Sequence, residues 1–152
     1  FHKMEFVTGC AMFFKMKTLK KINFFDENIF LYYEETDLYF RCHQANLGIY
    51  LIDEAEFTHI GSSSIDKKYE QQIAINRNWH FCWSKFYYYK KNYSYFYGLK
   101  KTLPNLLRAI KRYLIFSLKG EQIMAAKHKA EIDGLIASYM LRKSNFRPNI
   151  KL

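Results

Sequence analysis

Three carboxylates lie within four consecutive positions of the chain, at Glu34, Glu35 and Asp37. The residues that follow have the spacing of a helix, so these groups should crowd its first turn. A helix N-terminus lowers the pKa of a carboxyl group, whereas neighbouring negative charges raise it. Such a cluster suits a general base or a cation site, and it is also typical of an acidic helix cap.

His59 and the small residues that follow it are the second set that could do chemistry. A histidine can bind a metal or transfer a proton, although a lone histidine more often makes a structural hydrogen bond. The run Gly61-Ser62-Ser63-Ser64 could bind a phosphate through its backbone, but a single glycine is a weak signal for this. The three cysteines form no CxxC pair, which argues against a zinc ribbon and a dithiol redox site.

Short elements of mixed type are expected to position these residues. Segment 5–16 is rich in β-branched and aromatic residues, which favours a strand, and 49–52 favours a second strand. Between them, 35–45 has helical spacing, with Thr36 as the expected N-cap and Asn46 as the left-handed residue that ends the helix.

The second half of the chain is predicted to be mostly helical. A Gly-Ser-rich run near 61–64 separates it from the first half. Helical spacing extends over 67–89 and 122–141, and a further helix is expected to begin with Thr102 as its cap. Pro104 would then lie in the first turn of that helix, where proline is tolerated.

The net charge of +10 is concentrated in one block of the sequence. Residues 71–120 carry ten basic side chains, no acidic side chain and 13 of the 29 aromatic residues. This asymmetry points to an anionic partner. A membrane surface is favoured over single-stranded nucleic acid, because the predicted helix after Thr102 is amphipathic with a basic face and no RNA-binding motif is present. The sequence contains no run of 18 apolar residues, which is the length needed to span a bilayer as a helix.

Several motifs follow one another in a specific order. They are Val7-Thr8-Gly9 with Met12, Ile22-Asn23, Phe25-Asp26-Glu27, the run from Phe30 to Leu38 with Arg41, Glu54-Ala55, and His59-Ile60-Gly61 with Ser63-Ser64. This succession resembles the C-terminal part of family 2 glycosyltransferases, and the rhamnosyltransferase-like bacterial members are the most similar. The resemblance implies an α/β fold. It makes 1–65 the C-terminal, acceptor-side half of a GT-A-type mixed-sheet domain and 66–152 a mostly α-helical, basic-aromatic extension.

The resemblance also implies an activity. The enzyme would transfer a sugar, with inversion, from a nucleotide-sugar donor to a saccharide or lipid-linked saccharide acceptor during bacterial surface polysaccharide synthesis. It would act in the cytoplasm, at the inner face of the plasma membrane. A divalent metal, Mg²⁺ or Mn²⁺, would be held mostly by an N-terminal nucleotide-binding half, so the chain is expected to be a piece of a longer enzyme.

Roles for individual residues follow from the same resemblance. Glu35 takes the place of the base that deprotonates the acceptor, with Glu34 as the reserve candidate. Asp37 completes the acidic cluster and is expected to pair with Arg41, four residues further along the helix. A carboxylate within hydrogen-bond reach of the attacking hydroxyl is what direct displacement requires.

Two further residues and one alternative function complete the expectations. His59 matches a histidine that contacts the metal or the donor diphosphate, and Gly9 matches a tight backbone position near the donor. The alternative to an enzyme is a non-catalytic module whose basic-aromatic block binds an anionic membrane or single-stranded nucleic acid. An isolated piece of a domain is also expected to self-associate through uncovered apolar surface.

Overall fold

The computed structural model describes residues 1–7, 9, 11–59 and 67–147. The chain divides into two compact units. The first comprises Phe1–Glu27 and Glu34–Ser64, and the second comprises Asn28–Tyr33 and Ile65–Leu152.

The first unit combines two short strands with two helices. Strands β1 (His2–Met4) and β2 (Ile49–Leu51) pair in an antiparallel manner, with Met4 opposite Ile49. Helices α1 (Met16–Lys21) and α2 (Glu34–Gln44) supply most of the apolar core. The buried members of that core are Leu19, Ile22, Leu38, Tyr39, Cys42 and Ile49.

Asparagines at left-handed backbone positions end both helices of the first unit. Asn23 follows α1 with φ 56°, and Asn46 follows α2 with φ 55°. After α2, the Leu47 N–H donates to the Cys42 carbonyl over 2.9 Å, which satisfies a carbonyl that the helix leaves open. The predicted role of Asn46 as the left-handed residue that ends the helix is therefore confirmed.

The prediction of an α/β fold, with half of a GT-A-type mixed sheet over 1–65, is wrong. The structure is mostly helical, with 61% helix, and its described residues contain one two-stranded sheet. The described part of 5–16 forms no strand before α1 begins at Met16. Its apolar side chains Val7, Met12 and Phe14 instead pack on the core as irregular backbone. Tertiary packing overrides the β propensity of this segment because the described residues offer no further strand to pair with.

The second unit is built from three long helices, which agrees with the helical second half predicted from the sequence. A 3₁₀ turn (Lys67–Tyr69) leads into α3 (Glu70–Asn92), followed by α4 (Tyr95–Leu118) and α5 (Gln122–Tyr139). Each helix packs against the other two. Their cores contain Trp79, Cys82, Trp83, Phe86, Ala130 and Leu135.

Two glycines allow the helices of this unit to approach closely. A Cβ atom on Gly134 of α5 would clash with the backbone of Trp79 in α3. A Cβ atom on Gly98 of α4 would lie 2.9 Å from a ring carbon of Phe86. The absence of a side chain at these two positions therefore sets the spacing of the three helices.

Helix α4 begins earlier than the sequence predicts. Its N-cap is Ser94, whose side chain accepts a hydrogen bond from the Tyr97 N–H over 3.1 Å. Thr102 is not a cap but a fully buried residue, whose hydroxyl donates to the Gly98 carbonyl over 2.7 Å. This oxygen also lies 2.9 Å from the Tyr139 hydroxyl. Pro104 consequently lies inside the helix instead of in its first turn.

Candidate active site at the start of helix α2

The carboxylate cluster begins helix α2, as its sequence suggests. Glu34, Glu35 and Asp37 all lie in the first turn of the helix, where the exposed N–H groups favour negative charge. The two preceding residues, Tyr32 and Tyr33, have left-handed φ values of 63° and 70°. Bulky residues rarely adopt this conformation, so the chain enters the helix through a strained turn.

The structure brings Glu35 and Gly9 together. A Cβ atom built on Gly9 would lie 3.5 Å from both Cδ and Oε1 of the Glu35 side chain. It would lie at the same distance from Cε of Met12. The Glu35 carboxyl group, which is only partly buried, therefore lies beside the backbone of Gly9.

Tyr39 is a member of this site that the sequence analysis did not identify. It is buried, and its hydroxyl donates to the sulfur of Met12 over 3.1 Å. Burial and the negative charge of Glu35 raise the pKa of Tyr39 to about 12, so the phenol stays neutral near pH 7. Its position four residues after Glu35, on the same helix face, is the signal that could have identified it.

Glu34 differs from Glu35 in the burial of its carboxyl group and in its raised pKa. Its Oε2 atom is buried and has no hydrogen-bond partner among the described residues. Burial, with a smaller contribution from the charge of Glu35, raises the pKa of the Glu34 carboxyl group. A hydrogen bond from its own backbone N–H opposes this change. A carboxylate with a raised pKa is a stronger base, which keeps Glu34 as the reserve candidate.

Asp37 has a structural role in the helix start. Its carboxylate is fully buried, and Arg41 Nε donates to its Oδ2 over 2.8 Å, so the predicted ion pair is confirmed. Arg41 Nη1 also donates to the backbone carbonyl of Ile22. The pair therefore ties α2 to the end of α1 and fixes the direction in which the first turn of α2 points.

His59 is exposed, and the described residues do not join it to the acidic cluster in a metal site. They contain no group of three His, Cys, Asp or Glu side chains arranged to hold a metal. These residues alone do not fit a Mg²⁺ or Mn²⁺ site, and we assign no chemical step to such an ion. The Gly-Ser run at 61–64, which could bind a phosphate but is more typical of a plain loop, lies outside the described residues.

The carboxylate of Glu35 can therefore act as a proton acceptor for a bound hydroxyl group. The carboxylate of Glu35 is partly exposed and lies beside the backbone of Gly9, and its charge acts on the buried, neutral Tyr39. Among the helices of the described residues, none is both long and apolar enough to cross a bilayer.

Comparison of the chain with protein-family models, with characterised proteins and with solved structures finds no match.

Proposed function

We propose that this chain belongs to an inverting glycosyltransferase and that Glu35 is its catalytic base. The enzyme would transfer a sugar from a nucleotide-sugar donor to a hydroxyl group of a saccharide or lipid-linked saccharide. The proposal rests on the resemblance of the motif order to family 2 glycosyltransferases. The proposal is limited to the reaction and its base, because the described residues do not form the mixed sheet that the resemblance implies.

One observation supports the proposal most directly. Gly9 and Glu35 are 26 positions apart, and the resemblance gives them the donor-side and base roles independently of each other. In the structure the carboxyl group of Glu35 lies beside the backbone of Gly9. A base and a donor contact must be neighbours in a displacement reaction, because the attacking hydroxyl lies between the base and the anomeric carbon.

The chemistry that this arrangement supports is a single displacement. Glu35 accepts the proton of the acceptor hydroxyl while the acceptor oxygen forms a bond to the anomeric carbon. The bond between that carbon and the diphosphate oxygen breaks, and the nucleoside diphosphate leaves with the electron pair. Attack from the face opposite the leaving group inverts the anomeric configuration, and the residues of this site supply positioning and proton transfer.

The neighbours of Glu35 also fit this role. Because the phenol of Tyr39 stays neutral near pH 7, it adds no second negative charge beside the base. The family usually has Asp at this position, and Glu is longer by one methylene group. In the structure the longer Glu35 side chain fits beside the backbone of Gly9.

The reaction is tested by product analysis with the longest natural polypeptide that contains this chain. It is incubated with a panel of nucleotide sugars and with lipid-linked saccharides extracted from bacterial membranes. We expect acceptor-dependent release of nucleoside diphosphate from one donor and an inverted linkage by NMR. Retention of configuration, or no acceptor-dependent turnover with any donor, would contradict the proposal.

A further inference from the structure

Helix α4 carries a row of exposed apolar side chains along its length. At 100° per residue, these side chains fall within about 80° of arc on one side of the helix. They are Phe96, Leu103, Leu107, Ile110, Leu114 and Leu118, and we call them the α4 stripe. Their exposed fractions range from 37% for Ile110 to 90% for Leu118.

The α4 stripe faces away from the other two helices of its unit. The buried residues of α4 are Gly98, Thr102 and Ala109, which occupy the opposite side of the helix. These residues make the close contacts that the core of the unit requires, including the contact of Gly98 with Phe86. The apolar stripe is therefore not needed to pack α4 into the helical unit, and a contiguous apolar surface of this kind marks an interaction site.

One flank of the stripe is strongly basic. Helix α4 and the residue after it contain no acidic side chain and carry Lys100, Lys101, Arg108, Lys111, Arg112 and Lys119. All six are exposed, and at 100° per residue they lie on the same side of the stripe. An apolar row bordered by cations is the pattern of a helix that lies in the plane of a membrane interface.

We propose that the α4 stripe docks on the surface of an anionic phospholipid bilayer. The stripe from Phe96 to Leu118 extends about 33 Å at 1.5 Å per residue, so the whole helix would lie along the surface. Its apolar side chains would enter the boundary between headgroups and acyl chains, and its basic flank would contact the lipid phosphates. The proposal uses no residue of the Glu35 site and is independent of the proposed function.

Charge and residue type favour lipid over the other occupants of such a surface. A second copy would bring its own six cations to the interface, and like charges repel each other. Single-stranded nucleic acid requires aromatic rings on which bases stack, whereas five of the six side chains of the stripe are aliphatic. A bilayer with anionic headgroups satisfies both the apolar row and its cationic border.

Co-sedimentation of the 152-residue chain with vesicles tests this proposal. Vesicles of phosphatidylcholine alone are compared with vesicles that also contain phosphatidylglycerol, at low and at high salt. We expect binding to the anionic vesicles that weakens with salt, because the Debye length falls from about 10 Å at 0.1 M to about 3 Å at 1 M.

Two variants separate the charge from the apolar contribution. Replacement of Lys100, Lys101, Arg108, Lys111 and Arg112 by Gln should lower the binding constant at least about a hundredfold, since each basic residue contributes about fivefold. The double variant Leu107→Ser/Leu114→Ser should lower it at least about tenfold.

Matched controls remove the same groups elsewhere in the chain. A variant with Gln at the exposed Lys3, Lys15, Lys17, Lys20 and Lys21 loses five charges but leaves α4 intact. A double variant, Leu51→Ser/Leu141→Ser, removes two exposed leucines from other places. Both controls should keep vesicle binding within about threefold of the parent chain, because neither changes the α4 stripe or its basic flank.

Three results would overturn the proposal. The first is equal binding of the α4 glutamine variant and the parent chain to anionic vesicles. The second is an absence of vesicle binding together with a single-stranded DNA shift that the same variant abolishes, which would identify nucleic acid as the partner. The third is an absence of vesicle binding together with a dimer, seen by sedimentation, that Leu107→Ser/Leu114→Ser dissociates.

Discussion

Glu34 and Glu35 are adjacent in the chain, but their side chains have different surroundings. Glu35 lies beside the Gly9 backbone and is partly exposed, whereas Glu34 buries an unpaired carboxylate oxygen. Active sites often contain two acids in contrasting environments, which separate their pKa values and so give the two carboxyl groups different roles in proton transfer. The sequence alone could not separate them, because their contrast depends on which segment covers each side chain.

The buried oxygen of Glu34 leads to a stability prediction. Its pKa is raised in the folded protein, so folding is most favourable when this group is protonated and becomes less favourable as pH rises through the folded pKa. Glu34→Gln should therefore raise the melting temperature at pH 7, and its advantage should shrink as the pH falls through the raised folded pKa and be lost by about pH 4, where Glu34 is protonated in the folded and the unfolded chain. Thermal unfolding followed by circular dichroism across this range checks the prediction. A variant less stable than the parent chain at pH 7 would contradict it.

The ion pair of Asp37 with Arg41 should contribute much more than an exposed pair. Asp37→Asn leaves Arg41 in a largely buried position without its counter-charge, and we expect a loss of about 3 kcal/mol in the free energy of unfolding. Asp133→Asn is the control, because it breaks the exposed i,i+4 pair with Lys129 and should cost less than about 1 kcal/mol. Urea unfolding measures both values. Equal losses would show that burial of the Asp37 pair has no energetic effect.

At the scale of elements, local signals predicted helices better than strands. The acidic first turn and Asn46 define the ends of α2 within a residue or two, because capping is a local interaction. Thr36, the expected N-cap, lies inside the first turn of the observed helix. Segment 5–16 was predicted as a strand on residue type alone, but a strand needs a partner, and the partner is a property of the whole fold.

Thr102 shows a second way in which local analysis fails. A threonine followed by a proline two residues later has the composition of a helix start. In the structure its hydroxyl makes its two contacts inside the helical unit, with the Gly98 carbonyl and the Tyr139 hydroxyl. The contact with Tyr139 comes from a residue 37 positions away, so no pattern within one helix could have predicted it.

The contact between α3 and α5 gives an element-scale prediction. A helical Gly replaced by Ala normally gains about 1 kcal/mol in helix propensity. Gly134→Ala should instead destabilise the protein by about 1–3 kcal/mol, because its Cβ would press on the backbone of Trp79 and separate the helices. Ile136→Ala, at a position 42% exposed on the same helix, is the control and should have a small effect. A stabilising Gly134→Ala, measured by urea unfolding, would show that the helices are not in close contact there.

At the scale of the whole molecule, the carboxylate cluster and the basic block belong to different units. The cluster lies in the first unit, at the start of α2, and residues 71–120 of the second unit carry ten basic and no acidic side chains. The charge block could be predicted from the sequence, because it requires only counting. That the apolar stripe of α4 is exposed could not, since helical spacing alone indicates an apolar face without showing what covers it.

The measurement that tests the central claim most directly is the turnover of Glu35→Gln. Glutamine keeps the size of the side chain and its hydrogen-bonding capacity but cannot accept the proton. In the longest natural polypeptide that contains this chain, we predict a fall in kcat of about 10²–10⁴ with an unchanged circular dichroism spectrum and a smaller fall for Glu34→Gln. Near-parental turnover of Glu35→Gln would contradict the assignment of the base, and near-parental turnover of both variants would mean that the acidic cluster only caps the helix.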